Sequence, residues 1–176
     1  MGKRNRLFRR ATFLLFLFII LIIISSVYYK FTYPLSYKGF INKYAEEYNI
    51  DPYLVAAIIN VESNFNKNAL SPKEARGLMQ ISAITAEWAA RDLNIKNFQL
   101  DLLYEPEINI RIGTWYLDQL SQEFGDNIQL ILAAYNGGSG NVSKWLKDEN
   151  YCQDGENLKK IPFKETEQYI DKVLKN

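Results

Sequence analysis

The sequence predicts a mainly α-helical globular domain preceded by one N-terminal transmembrane helix. Three observations carry this. Residues 11–29 (ATFLLFLFIILIIISSVYY) hold no charged side chain. Beyond them, apolar residues recur at helical spacing, most regularly at Ile108, Ile112, Tyr116, Leu120 and Phe124. No stretch alternates apolar and polar residues for long enough to make a strand. A length of 176 residues fits one domain with appendages, and 48% hydrophobic with 23% charged residues is an ordinary globular mix.

Residues 1–10 are basic through Lys3, Arg4, Arg6, Arg9 and Arg10, and such a run stays on the cytoplasmic side of a membrane. At about 1.5 Å per residue, the uncharged run 11–29 spans roughly 28 Å as a helix, close to the thickness of the hydrocarbon core. It therefore reads as a signal anchor. Tyr28, Tyr29 and Tyr33 fall at the outer interface. A cleaved signal peptide is the rival, but its apolar region is usually shorter and its cleavage site is Ala-x-Ala-like, which Ile24-Ser25-Ser26 fits poorly. Either way residues 37–176, after a linker at 30–36, lie outside the cytoplasm.

Tyr37–Tyr48 reads as an amphipathic helix through Phe40, Ile41, Tyr44 and Tyr48. Asp51-Pro52 starts a second, a capping carboxylate before proline at the first helical position. It carries Leu54, Val55, Ile58, Ile59 and Val61 and ends at Glu62-Ser63. Residues 64–76 form a polar loop, and 77–81 a short apolar turn. Ser82 caps a helix to about Leu93, and a loop follows. The best periodicity then runs from Glu105-Pro106 to Phe124, ended by Gly125. Asp126 starts the next helix, which Asn136-Gly137-Gly138 breaks. Gly140–Asp148 is helical, 149–161 irregular, and Phe163–Leu174 the last helix.

Composition narrows the chemistry. There is no His, which removes Ser-His-Asp and Cys-His catalysis and His-ligated metals. One Cys, Cys152, makes neither an internal disulfide nor a Cys-rich zinc site. Residues 1–30 hold six basic residues and no acidic ones, so the remainder has 15 basic and 20 acidic, net −5. That is a poor surface for nucleic acid.

Four features could carry function. Glu62 ends an apolar helix, where lost solvation raises a carboxyl pKa toward that of a general acid. Its plainer reading is a solvated helix-end Glu. Gly77-Leu78-Met79-Gln80-Ile81 permits close backbone approach and offers the Gln80 amide, or it simply plugs the core. Tyr135-Asn136-Gly137-Gly138 presents an amide beside a relaxed backbone, or is a helix end with its turn. Glu165, Thr166 and Tyr169 open the last helix, where a Glu also suits the helix dipole. Taken singly, the structural readings are favoured.

In order and at similar spacing, however, these blocks resemble the catalytic domain of the soluble lytic transglycosylases (SLT), which is goose-lysozyme-like. They are Glu62-Ser63-x-Phe65-Asn66, Ser71-Pro72, Gly77–Ile81, Ala134–Gly138 and Glu165-Thr166-x-x-Tyr169, together covering roughly residues 38–174. The resemblance implies a lysozyme-like, mostly helical fold and cleavage of the β-1,4 bond between N-acetylmuramic acid and N-acetylglucosamine in peptidoglycan. The muramic 6-hydroxyl, not water, is then the acceptor, leaving a 1,6-anhydro end. Glu62 would act as acid and then as base, with the substrate's N-acetyl group as internal nucleophile. One carboxyl then suffices, where most glycosidases use two. The resemblance further implies that Ser71 and Gln80 contact the sugar, that Tyr135 and Asn136 line the groove, and that Glu165 and Tyr169 complete it, without cofactor or metal. Glu74 stands where the family usually has Gly, and Ser82-Ala83 where it often has Met or Leu then Pro. A water-using lysozyme and an inactive wall-binding module are the alternatives.

Overall fold

The computed structural model describes residues 10, 12–25 and 37–176 and divides into two units, Met1–Ser36 and Tyr37–Asn176. In the first, residues 12–25 form a helix, α1. Its apolar side chains are open all round, as with Leu21 at 67% exposure. Among the described residues no helix is long and apolar enough to cross a membrane. Residue 11, the end of the expected span at 26–29 and the linker up to residue 36 lie outside the described residues.

The second unit holds seven α-helices among its described residues: α2 (Lys38–Glu47), α3 (Pro52–Ser63), α4 (Ala83–Asp92), α5 (Pro106–Phe124), α6 (Ile128–Gly137), α7 (Ser139–Trp145) and α8 (Lys164–Leu174). Two predicted caps form as read. Asp51 accepts from the Tyr53 amide at 2.8 Å, and Ser82 from the Thr85 amide at 3.2 Å. Several boundaries differ from expectation, among them the end of α7, which falls at Trp145 and not at Asp148. Asn127, not Asp126, caps α6 by accepting from the Leu130 amide. Asn136 and Gly137 stay helical, and the break falls at Gly138, whose φ of 87° lets it end α6 and start α7. Finally, a 3-10 turn at Leu100–Tyr104 replaces the expected plain loop, because its five residues are too few to show a period.

Helix α5 lies at the centre and packs on α2, α4, α6 and the 3-10 turn. Helix α3 lies between α2 and α8, and α6 between α5 and α8. Val55, Ile58, Ile59, Ile110, Ile112 and Leu132 are fully buried where these helices meet. Each contributes about 1.5–3 kcal/mol by leaving water. Strand pairing among the described residues is limited to isolated bridges, Leu70–Arg76, Arg76–Ile81 and Cys152–Leu158. The first two fold the 70–81 loop back on itself.

Candidate active site

The site begins at the end of α3. Ile58 and Ile59 draw one face of the helix into the core, which leaves Glu62 half-buried in the last turn. The chain then turns sharply, with Asn64 and Phe65 both left-handed at φ 49° and 59°. That conformation is costly for a ring-bearing residue, and the burial of Phe65 offsets it. Burial lifts the Glu62 carboxyl from its ordinary 4.5 to about 7. The Tyr169 hydroxyl opposes this by favouring the carboxylate, and the Glu165 carboxylate adds to it by repulsion. Tyr169 is buried at 6% exposure, and its hydroxyl is otherwise without a hydrogen-bond partner among the described residues. Burial and the charge of Glu62 push both Tyr135 and Tyr169 well above the usual phenol range, so both stay protonated donors.

The short turn after the loop is held from three helices. Ser63, next to Glu62, donates to the Leu78 carbonyl at 2.7 Å. Tyr135 of α6 donates to the Met79 carbonyl at 2.9 Å. Asn109 of α5 accepts from the Met79 amide at 2.8 Å and donates to the Arg76 and Leu103 carbonyls at 2.9 and 2.8 Å. Close approach demands glycine here. A Cβ on Gly77 would come within 2.2 Å of the Leu103 carbonyl oxygen, and one on Gly113 within 2.3 Å of the Met79 sulfur.

The candidate residues thus divide. Glu62, Tyr135, Glu165 and Tyr169 come together, each acting on at least one other. Asn136 joins them through Thr166, which donates to its side-chain oxygen at 2.8 Å and ties α6 to α8. Ser71 and Gln80 serve the loop. The Ser71 hydroxyl accepts from the Lys73 and Ala75 amides at 3.2 and 3.0 Å. The Gln80 side-chain nitrogen donates to the Ala69 and Gly77 carbonyls, which leaves its oxygen as the group to offer a ligand. Glu74 sits at φ 62°, so the left-handed turn survives without the usual glycine. Asn109 escaped sequence reasoning. Its one signal was a polar residue on the strongly periodic α5, and only the structure shows it fully buried. No group of acidic and Cys side chains among the described residues could hold a metal ion.

The arrangement offers one carboxyl poised between its two protonation states, two protonated phenols that respond to its charge and a turn held by hydrogen bonds from α3, α5 and α6. That is equipment for giving and taking a proton at a bound, uncharged substrate.

Comparison with known proteins bears on the family and the fold. The family model described as "Transglycosylase SLT domain" matches residues 39–158. The chain is 38% identical over 144 residues to the soluble lytic murein transglycosylase of Salmonella typhimurium, covering 81% of this chain and 22% of that protein. It is 34% identical over 139 residues to a membrane-bound lytic murein transglycosylase E of Buchnera aphidicola, covering 76% and 65%. Among solved structures, the 70-kDa soluble lytic transglycosylase of Escherichia coli superimposes with a TM-score of 0.71 at 36% identity, over 81% of this chain and 23% of that one. An inactive mutant of the Pseudomonas aeruginosa enzyme Slt gives 0.71 at 34% identity, over 83% and 24%. The chain thus spans about a fifth of the length of the soluble curated relatives it matches.

Proposed function

The chain belongs to the transglycosylase SLT domain family, and from that premise we propose that it is a peptidoglycan lytic transglycosylase with Glu62 as its acid and base. The observation that carries this is the half-buried Glu62, held at about 7, on which the exposed Glu165 is the one carboxylate among the described residues that acts.

The steps follow from that value. Near neutral pH, Glu62 is present in both forms. As the acid it gives its proton to the glycosidic oxygen, so that the N-acetylglucosamine leaves as an alcohol. The acetamido oxygen of the muramic residue supports the anomeric carbon meanwhile. The Glu62 carboxylate then takes the proton from the muramic 6-hydroxyl, whose oxygen closes on the anomeric carbon. The proton count is restored, and no water is consumed. Tyr169 steadies the carboxylate. Tyr135 and Ser63 hold the turn at Leu78 and Met79 in place. Asn136 and the Gln80 oxygen supply polar contacts for the acetamido group, with Ser71 shaping the loop that carries Gln80.

We further propose that residues 11–29 anchor the protein in the cell membrane, with the domain from 37 onward on the outer side, where the wall is. The uncharged run, its basic flank and the openly apolar α1 support this. The test of function is digestion of purified sacculi followed by mass spectrometry, in which 1,6-anhydromuramic ends are expected from the wild type and none from Glu62→Gln.

A further inference from the structure

A row of aromatic rings leads away from the acid. Tyr135, whose hydroxyl donates to the Met79 carbonyl next to the Leu78 carbonyl that Ser63 holds, lies 5.6 Å from Tyr116 of α5, centroid to centroid. Tyr116 lies 6.2 Å from Trp88 of α4, and Trp88 lies 4.8 Å from Trp115. Trp115 is buried, and its indole nitrogen donates to Asp92 at 3.0 Å, so it forms a fixed base. Trp88 differs. It is 41% exposed, and both neighbours meet it edge-to-face at 75° and 80°, so neither stacks on its plane. Ile84, one turn earlier on the same face of α4, is 83% exposed.

An open indole on a fixed base, with Ile84 exposed one turn away on the same face, makes a flat apolar platform with one polar edge. From the row's continuity with the Glu62 site we infer that Trp88 is a stacking subsite for a hexosamine ring of the glycan strand, distal to the bond that is cut. The occupant is the apolar face of a sugar ring, which can lie on the open indole plane that neither neighbouring ring covers. The inference rests on the function proposed above only in its choice of polymer. Trp88 adds grip on long strands and takes no part in proton transfer.

The test uses the full-length chain in detergent carrying Glu62→Gln, so that strands bind uncut. The probe is peptide-free glycan strands from purified sacculi. Adding Trp88→Ala should weaken binding about tenfold, whereas Trp88→Phe should keep most of it. Strand addition should also change tryptophan emission in the parent and not in the Trp88→Phe protein, a readout that does not depend on the alanine variant folding. Unchanged affinity in Trp88→Ala, or an emission change that persists without the indole, overturns the subsite. Because no bond is cut, the result stands apart from the product analysis. Absent anhydro products would sink the transglycosylase reading and leave this one decided by binding alone.

Discussion

Glu62 loses water at the last turn of α3, and its carboxyl rises to about 7 while its unfolded value stays near 4.5. Two consequences follow at the residue scale. The acid step needs the protonated form, so kcat/KM should fall as pH climbs through about 7. Tyr169→Phe removes a group that favours the carboxylate and should move that limb to higher pH. Glu165→Gln removes repulsion and should move it lower, by less because Glu165 is exposed. A pH–rate profile for each variant checks both signs. The second consequence concerns stability. The folded state holds the Glu62 proton more tightly than the unfolded one, so stability is lost as pH rises from about 4.5 to 7. Glu62→Gln should therefore match the wild type at pH 4 and exceed it at pH 8, by up to about 3 kcal/mol in urea unfolding. Its activity should drop by about a thousandfold or more. Glu62 was legible in the sequence through its neighbours, but its company was not. That Tyr169 and Glu165 act on it depends on how α8 crosses α3, which no local pattern encodes.

At the scale of elements, the 70–81 segment decides whether the site exists. Asn109 satisfies one amide and two carbonyls of the segment and the 3-10 turn. Asn109→Ala leaves buried polar groups unpaired and should cost about 2–4 kcal/mol by urea unfolding, with activity falling alongside. Glu74 holds a left-handed φ of 62° that glycine adopts freely. Glu74→Gly should stabilise the domain by roughly 0.5–1 kcal/mol without changing turnover, read as a shift in the urea midpoint. The helices were legible because caps and periods are local. Asp51-Pro52 and Ser82 marked their starts, and the four-residue spacing from Ile108 to Phe124 marked α5. The misplaced start of α6 and the 3-10 turn have the opposite cause. Asp126 and Asn127 are both able caps, and only packing chooses between them. Ser71 and Gln80 make hydrogen bonds within the loop that depend on backbone groups which sequence patterns do not place.

At the scale of the molecule, the chain divides into two units, Met1–Ser36 and Tyr37–Asn176. The domain from Tyr37 onward carries its own core and the whole candidate site. The N-terminal run is apolar with no charge from 11 to 29. If it anchors the protein as proposed, the full chain should sediment with membranes and be released by detergent but not by high salt. A chain starting at residue 37 should stay in the supernatant. The lysozyme-like architecture was legible from ordered motif blocks, which match the family model and the solved structures along the chain. The aromatic row was not, since Trp88, Tyr116 and Tyr135 lie far apart in the chain and meet only through the packing of α4, α5 and α6. The central claim is that this one carboxyl drives an internal displacement, not hydrolysis. Mass spectrometry of sacculi digested by the wild-type protein tests it most directly. Muramic ends in the 1,6-anhydro form are expected, absent with Glu62→Gln. Reducing muramic ends, or equal inertness of both proteins, would contradict it.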